Sequence, residues 1–161
     1  FKKYIADFTI YNNINLLYMS NQIIYDTSIS DKNEVSVKPI LETFFKTKLN
    51  LTDKFAMVDY IGDNIQIELK CRNNKKDTYS TTIIGQNKIN HLLKTSDNGY
   101  VVFKFTDGLY YYQITQDTLK FCKQCYKGGR NDRHKNEYKK NAYCHIPVNL
   151  LEKIEFRLDF L

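Results

Sequence analysis

The chain has 161 residues, 42% of them hydrophobic and 26% charged, so a single folded domain over 1–161 is expected and wholesale disorder is excluded. No apolar run approaches the roughly 18–20 residues of a membrane span, and six glycines and two prolines exclude a fibrous or linker-dominated chain. The net charge of +6 is local: from Lys120 to Lys140 eight Lys and Arg residues face only Asp132 and Glu137, which suggests a nucleic-acid partner, although a solvated basic loop would read the same way.

Residues 1–30 mix helical and strand periodicity, and 1–35 is read as an N-terminal extension; the start at Phe1 suggests a missing leader or upstream region. Ser36-Val-Lys-Pro predicts a helix start with Pro39 in the first turn, followed by Ile40, Leu41, Phe44, Phe45 and Leu49 at helical spacing. Glu42 lies beside that apolar stripe. Two strands, 55–61 and 65–72, flank the turn sequence Gly62-Asp63-Asn64. A polar loop over 73–80 precedes a helix opened by Thr81 or Thr82 and running to Lys94, with Ile89, Leu92 and Leu93 inward. Strands 100–106 and 109–114 flank Asp107-Gly108, a hairpin signal. Residues 116–145 form an irregular basic loop region, His145-Ile-Pro-Val a short strand, Asn149 the cap of a helix through Ile154, and 155–161 a final strand. The sum is an α/β or α+β domain with a central mixed sheet flanked by helices.

Side chains alternate along a strand, so Gln66, Glu68 and Lys70 share one face while Ile65, Ile67 and Leu69 fill the other. If Asp63-Asn64 is the turn, Asp59 opposes Glu68; if Gly62-Asp63 is the turn, Asp59 opposes Gln66 and still shares the face of Glu68 and Lys70. Both registers cluster two carboxylates and an ammonium. Like charges across a strand pair repel, and a divalent cation relieves that better than Lys70 alone. Mg²⁺ suits carboxylate oxygens and keeps several waters, one of which, held by Lys70, becomes a nucleophile for a phosphodiester. The preceding helix could bring Glu42 to the same cation.

Asp59 with Glu68-Leu69-Lys70, after a helix carrying Glu42 and before a helix and a further strand, resembles the PD-(D/E)XK nuclease superfamily. The resemblance covers roughly 36–115. It implies a restriction-endonuclease-like core of a helix, three antiparallel strands, a helix and another strand. It also implies Asp59 and Glu68 as catalytic metal ligands, Lys70 as the residue that orients the attacking water, and Glu42 as an extra ligand. Val58 stands where the family's pattern has proline. The implied activity is a Mg²⁺-dependent (or Mn²⁺-dependent) endodeoxyribonuclease of restriction or repair/recombination type, able to work as a homodimer. The alternative is a non-catalytic nucleic-acid-binding protein of phage or viral origin.

Gln86 and Lys88 open the second helix, where a polar residue can meet the scissile phosphate. In the basic segment Lys127, Arg130, Arg133 and Lys135 are further candidates for nucleic-acid contact, the arginines through their bidentate forks. Cys122-x-x-Cys125 with Cys144 and either His134 or His145 could hold Zn²⁺, although no second CxxC or HxxxH pair completes the spacing. Cys71 is expected in the core. Four cysteines are too few for a disulfide scaffold and favour a reducing, intracellular setting; abundant Lys, Asn, Ile and Tyr fit an AT-rich bacterial, phage or viral genome.

Overall fold

Apolar side chains alternating along Ile65–Cys71 and Gly99–Phe105 build the centre of the sheet. A computed structural model describes residues 28–125 and 142–155. Its first half runs α1 (Ser28–Phe45), β1 (Leu49–Leu51), β2 (Tyr60–Gly62), β3 (Ile65–Cys71), β4 (Thr81–Gly85) and α2 (Gln86–Thr95). The second half runs β5 (Gly99–Phe105), β6 (Gly108–Gln113), β7 (Lys123–Cys125), β8 (Tyr143–Pro147) and β9 (Glu152–Lys153), with short 3-10 turns at Lys76–Thr78, Thr118–Phe121 and Val148–Leu150.

A six-stranded sheet has the order β1-β2-β3-β5-β6-β9, and β4-β8-β7 form a smaller antiparallel sheet. β3 and β5 are parallel, joined through β4 and α2, whereas the other pairs of the large sheet are antiparallel. α1, the antiparallel strands β1-β2-β3, α2 and β5 follow the order that the resemblance implies, so the α+β fold has a restriction-endonuclease-like core.

The two faces of the sheet bury different partners. Ile65, Ile67, Leu69 and Val102 meet Val37 and Leu41 of α1. Val101, Phe103, Phe105, Tyr110 and Tyr112 meet Ile89 and Leu92 of α2 and Ile84, Cys144 and Ile146 of the smaller sheet. Arg72, just past β3, ties the sheets together: its guanidinium donates to the Ile83 carbonyl at 2.5 Å and to Thr82 Oγ1 at 3.3 Å. Among the described residues no helix is long and apolar enough to cross a membrane.

Several elements differ from the sequence expectation, each for a physical reason. α1 begins at Ser28, eight residues before the expected start at Ser36, which puts Pro39 inside the helix. An interior proline costs about 3 kcal/mol, but burial of Val37 and Leu41 outweighs it. The helix stops at Phe45, Lys46 turns left-handed (φ 53°), and Leu49 enters β1 instead of the helical stripe. Thr81 and Thr82 open no helix: Thr81-Thr82-Ile83-Ile84, a β-branched run, pairs with β8 as β4, and the helix starts at Gln86. After β8 the chain makes a 3-10 turn and β9 rather than a helix to Ile154, because Ile154 N–H donates to the Leu109 carbonyl at 2.9 Å as the strand joins β6. Part of the basic region is ordered as β7 and β8. Cys71 ends its strand exposed, outside the core.

Gly62 packs so close to β1 that a Cβ there would lie 2.6 Å from the Lys48 carbonyl oxygen. Gly62→Ala is therefore expected to destabilise the fold by about 1–3 kcal/mol in chemical denaturation; unchanged stability would show that β1 does not press on the hairpin as described.

Candidate active site

The β2–β3 register sets the site. Gly62 pairs with Ile65, Ile61 with Gln66 and Tyr60 with Ile67, so Asp63-Asn64 is the turn and Asp59 stands across from Glu68. Asn64 supports that turn with a left-handed φ of 53°. One residue beyond the pairing, Asp59 leaves the regular ladder. Its N–H still donates to the Ile67 carbonyl at 3.0 Å, but its own carbonyl turns to the Thr52 N–H at 3.1 Å. The Leu69 N–H donates instead to Asp59 Oδ2 at 2.7 Å. That substitution of a carboxylate for a ladder carbonyl is why β2 starts at Tyr60 rather than Phe55, and it locks the Asp59 side chain beside Glu68.

Glu68 lies on the α2 face of the sheet and is 0% exposed. Two ammonium groups meet it: Lys70 Nζ contacts Oε1, and Lys88 Nζ lies 3.3 Å from Oε2. The lysine side chains remain 30% and 22% exposed, so solvent reaches the far side of the charges that cover the carboxylate. Lys88 Nζ also donates to the Ala56 carbonyl at 3.3 Å. Burial pushes the Glu68 carboxyl above its ordinary range; Lys70 pulls it back, the neighbouring Asp59 charge adds to the rise, and Lys88 opposes it.

Glu68 Oε2 is buried and has no hydrogen-bond partner among the described residues, its ion-pair contact with Lys88 apart. Asp59 Oδ1 is likewise free of the Leu69 bond that occupies Oδ2. An orphaned buried carboxylate oxygen with a second carboxylate close by fits a hard cation such as Mg²⁺, which uses one or two carboxylates and fills its remaining positions with water. Among the described residues no group of three His, Cys, Asp or Glu side chains is arranged to hold a metal ion.

Glu42 does not join them. α1 packs on the opposite face, against Ile65, Ile67 and Leu69, and the Glu42 carboxylate accepts from the Leu49 N–H at 2.9 Å and from Lys38 at 3.1 Å. Those bonds hold its carboxyl below the usual range, the Leu49 N–H contributing most. Gln86 is turned to its own helix, donating to Asn90 Oδ1 at 3.0 Å. Of the zinc candidates, Cys122 and Cys144 come together: a hydrogen bond from Cys144 brings the Cys122 thiol down to about 7. His134, with Lys127, Arg130, Arg133 and Lys135, lies outside the described residues, as does the side chain of Cys125.

Sequence reasoning brings Asp59, Glu68 and Lys70 together correctly but misses that Lys88 pairs with Glu68. The available signal was its place in the first turn of the helix that follows the carboxylate strand. Nothing in the sequence marked the Ala56 carbonyl.

A family model described as "Phage putative PDDEXK endonuclease" matches residues 20–154, and the chain belongs to that family of PD-(D/E)XK nucleases. No curated protein matches it. Among solved structures the chain is similar to Hjc, a Holliday junction resolvase from Archaeoglobus fulgidus, with 14% identity, 76% of this chain and 92% of that chain covered, and a TM-score of 0.45.

The buried charge makes a stability test. Glu68→Gln keeps the shape and removes the ion, so at pH 7 it is expected to raise the thermal midpoint by a few degrees, about 1 kcal/mol. Because the folded carboxyl titrates above its ordinary 4.5, wild type carries the penalty in full above the raised value and loses it below about 4.5. The variant's advantage should therefore vanish as pH falls. A lower midpoint at pH 7 would mean that the lysines compensate the charge completely.

Proposed function

We propose that the protein is a Mg²⁺-dependent endonuclease that hydrolyses phosphodiester bonds in DNA, of restriction or repair/recombination type. The observation that carries this reading is the pairing of a half-buried Asp59 with a fully buried Glu68 that meets two lysines and whose Oε2 lacks a hydrogen bond. Membership of a PD-(D/E)XK endonuclease family supports it.

Asp59 Oδ1 and Glu68 Oε2 would hold the cation. Bound there, it supplies Lewis acidity at the phosphate and a water of lowered pKa. Asp59 is kept in place by the Leu69 N–H, so the carboxylate pair is oriented before any ligand arrives. Lys70, on Oε1 at the partly open side, orients the attacking water and offsets the charge that develops on the phosphoryl oxygens. Lys88 now stands on the oxygen assigned to the cation and must leave it. Its position in the first turn of α2 lets it turn to a phosphate oxygen near the helix N-terminus, where anions are favoured. Attack at phosphorus forms the new P–O bond from water, whose proton passes to solvent, and breaks the bond to the leaving sugar oxygen, which takes a proton from solvent.

Supercoiled plasmid incubated with Mg²⁺ is expected to be nicked or linearised by wild type and left intact in EDTA or with Asp59→Ala. Lys70→Ala is expected to cut about 10²–10⁴-fold more slowly while still binding DNA in a mobility-shift assay. Full activity of Lys70→Ala would refute its role. Binding without cleavage by wild type, in Mg²⁺ and in Mn²⁺, would make the protein a nucleic-acid-binding module instead.

A further inference from the structure

The loop between β1 and β2 carries a feature that the carboxylate centre does not use. Asp53, Lys54, Phe55 and Ala56 make a tight turn closed by the Ala56 N–H donating to the Asp53 carbonyl at 2.8 Å. Lys54 and Phe55 are its central residues, and Phe55 is 91% exposed. Such positions ordinarily take Pro, Asp, Asn or Gly, so a phenyl ring there has no local conformational reason. It buries almost nothing and has no packing reason either.

The loop is nonetheless braced. The Thr52 N–H donates to the Asp59 carbonyl at 3.1 Å, the Thr52 hydroxyl donates to the Val58 carbonyl, and Val58 is buried. The Ala56 carbonyl accepts from Lys88 Nζ at 3.3 Å, and that same ammonium is 3.3 Å from Glu68 Oε2. One residue after Phe55, then, the backbone is bonded directly to the charge cluster. The ring is thus carried by a braced turn whose next residue is bonded to the ammonium that pairs with Glu68, and exposed Lys54 stands beside it in the chain.

We propose that Phe55 is a stacking platform for an unpaired base of the DNA strand whose backbone enters the carboxylate centre, so that the protein prefers DNA with unpaired bases near the cut. This rests on the nuclease reading and deepens it to a substrate class. A single exposed ring offers a face that matches one base, and base–aromatic stacking tolerates any sequence. In fully paired DNA both faces of each internal base are already stacked, which leaves Phe55 nothing to hold.

The test uses the full chain and fluorescein-labelled hairpin DNA, either fully paired or carrying a three-nucleotide bulge, with anisotropy read in EDTA so that no cleavage occurs. Wild type is expected to bind the bulged DNA more tightly. Phe55→Ala should lose about tenfold on bulged DNA and nothing on paired DNA, and Phe55→Trp should keep the preference. Wild-type affinity of Phe55→Ala for bulged DNA would overturn the proposal, and so would an equal loss on both DNAs. Because binding is read without metal, this result is separate from the plasmid assay: cleavage by wild type together with an unaffected Phe55→Ala sinks only the stacking role, and stacking-dependent binding without cleavage sinks only the nuclease reading.

Discussion

A carboxylate with no access to water, Glu68, is the constraint around which the site is arranged. Ionised, it is costly to bury, and the fold answers with two ammonium groups from different elements, Lys70 two residues along its own strand and Lys88 on α2. Neither gives Oε2 a hydrogen bond. The result is a centre in which keeping the carboxylate ionised costs stability, since burial raises its pKa and the two lysines only partly offset that. Asp59 contributes to that expense by repulsion, yet its own geometry is secured by a backbone N–H.

The supporting architecture follows from which face each element covers. The Ile65-Ile67-Leu69 face takes α1 and becomes pure core, whereas the Glu68 face takes α2 and the smaller sheet. That division explains both why Lys88 reaches Glu68 and why Glu42 cannot. The parallel β3–β5 pairing requires a crossover, and the crossover is what delivers the N-terminus of α2 to the carboxylates.

Much of this was legible in the sequence because it is written in local patterns. Alternation in Ile65–Cys71, the Asp63-Asn64 turn and the hairpin at 99–113 depend on neighbours in the chain, and so did the pairing of Asp59 with Glu68. What was not legible depends on contacts between distant segments. Pro39 reads as a helix start until Val37 and Leu41 are seen packed against the sheet; Thr81-Thr82 reads as a helix cap until β8 arrives to pair with it. Glu42 was misplaced, and the Lys88–Glu68 ion pair missed, for the same reason: spacing shows that each residue lies on a helix, but not which face of the sheet that helix covers.

The central claim is that Asp59 and Glu68 bind one divalent cation. Anomalous diffraction from a crystal of the protein soaked in Mn²⁺ tests it most directly. The account predicts a peak within coordination distance of both carboxylates, with the Lys88 ammonium moved off Oε2. No peak there, or a peak elsewhere with Lys88 still paired to Glu68, would contradict it.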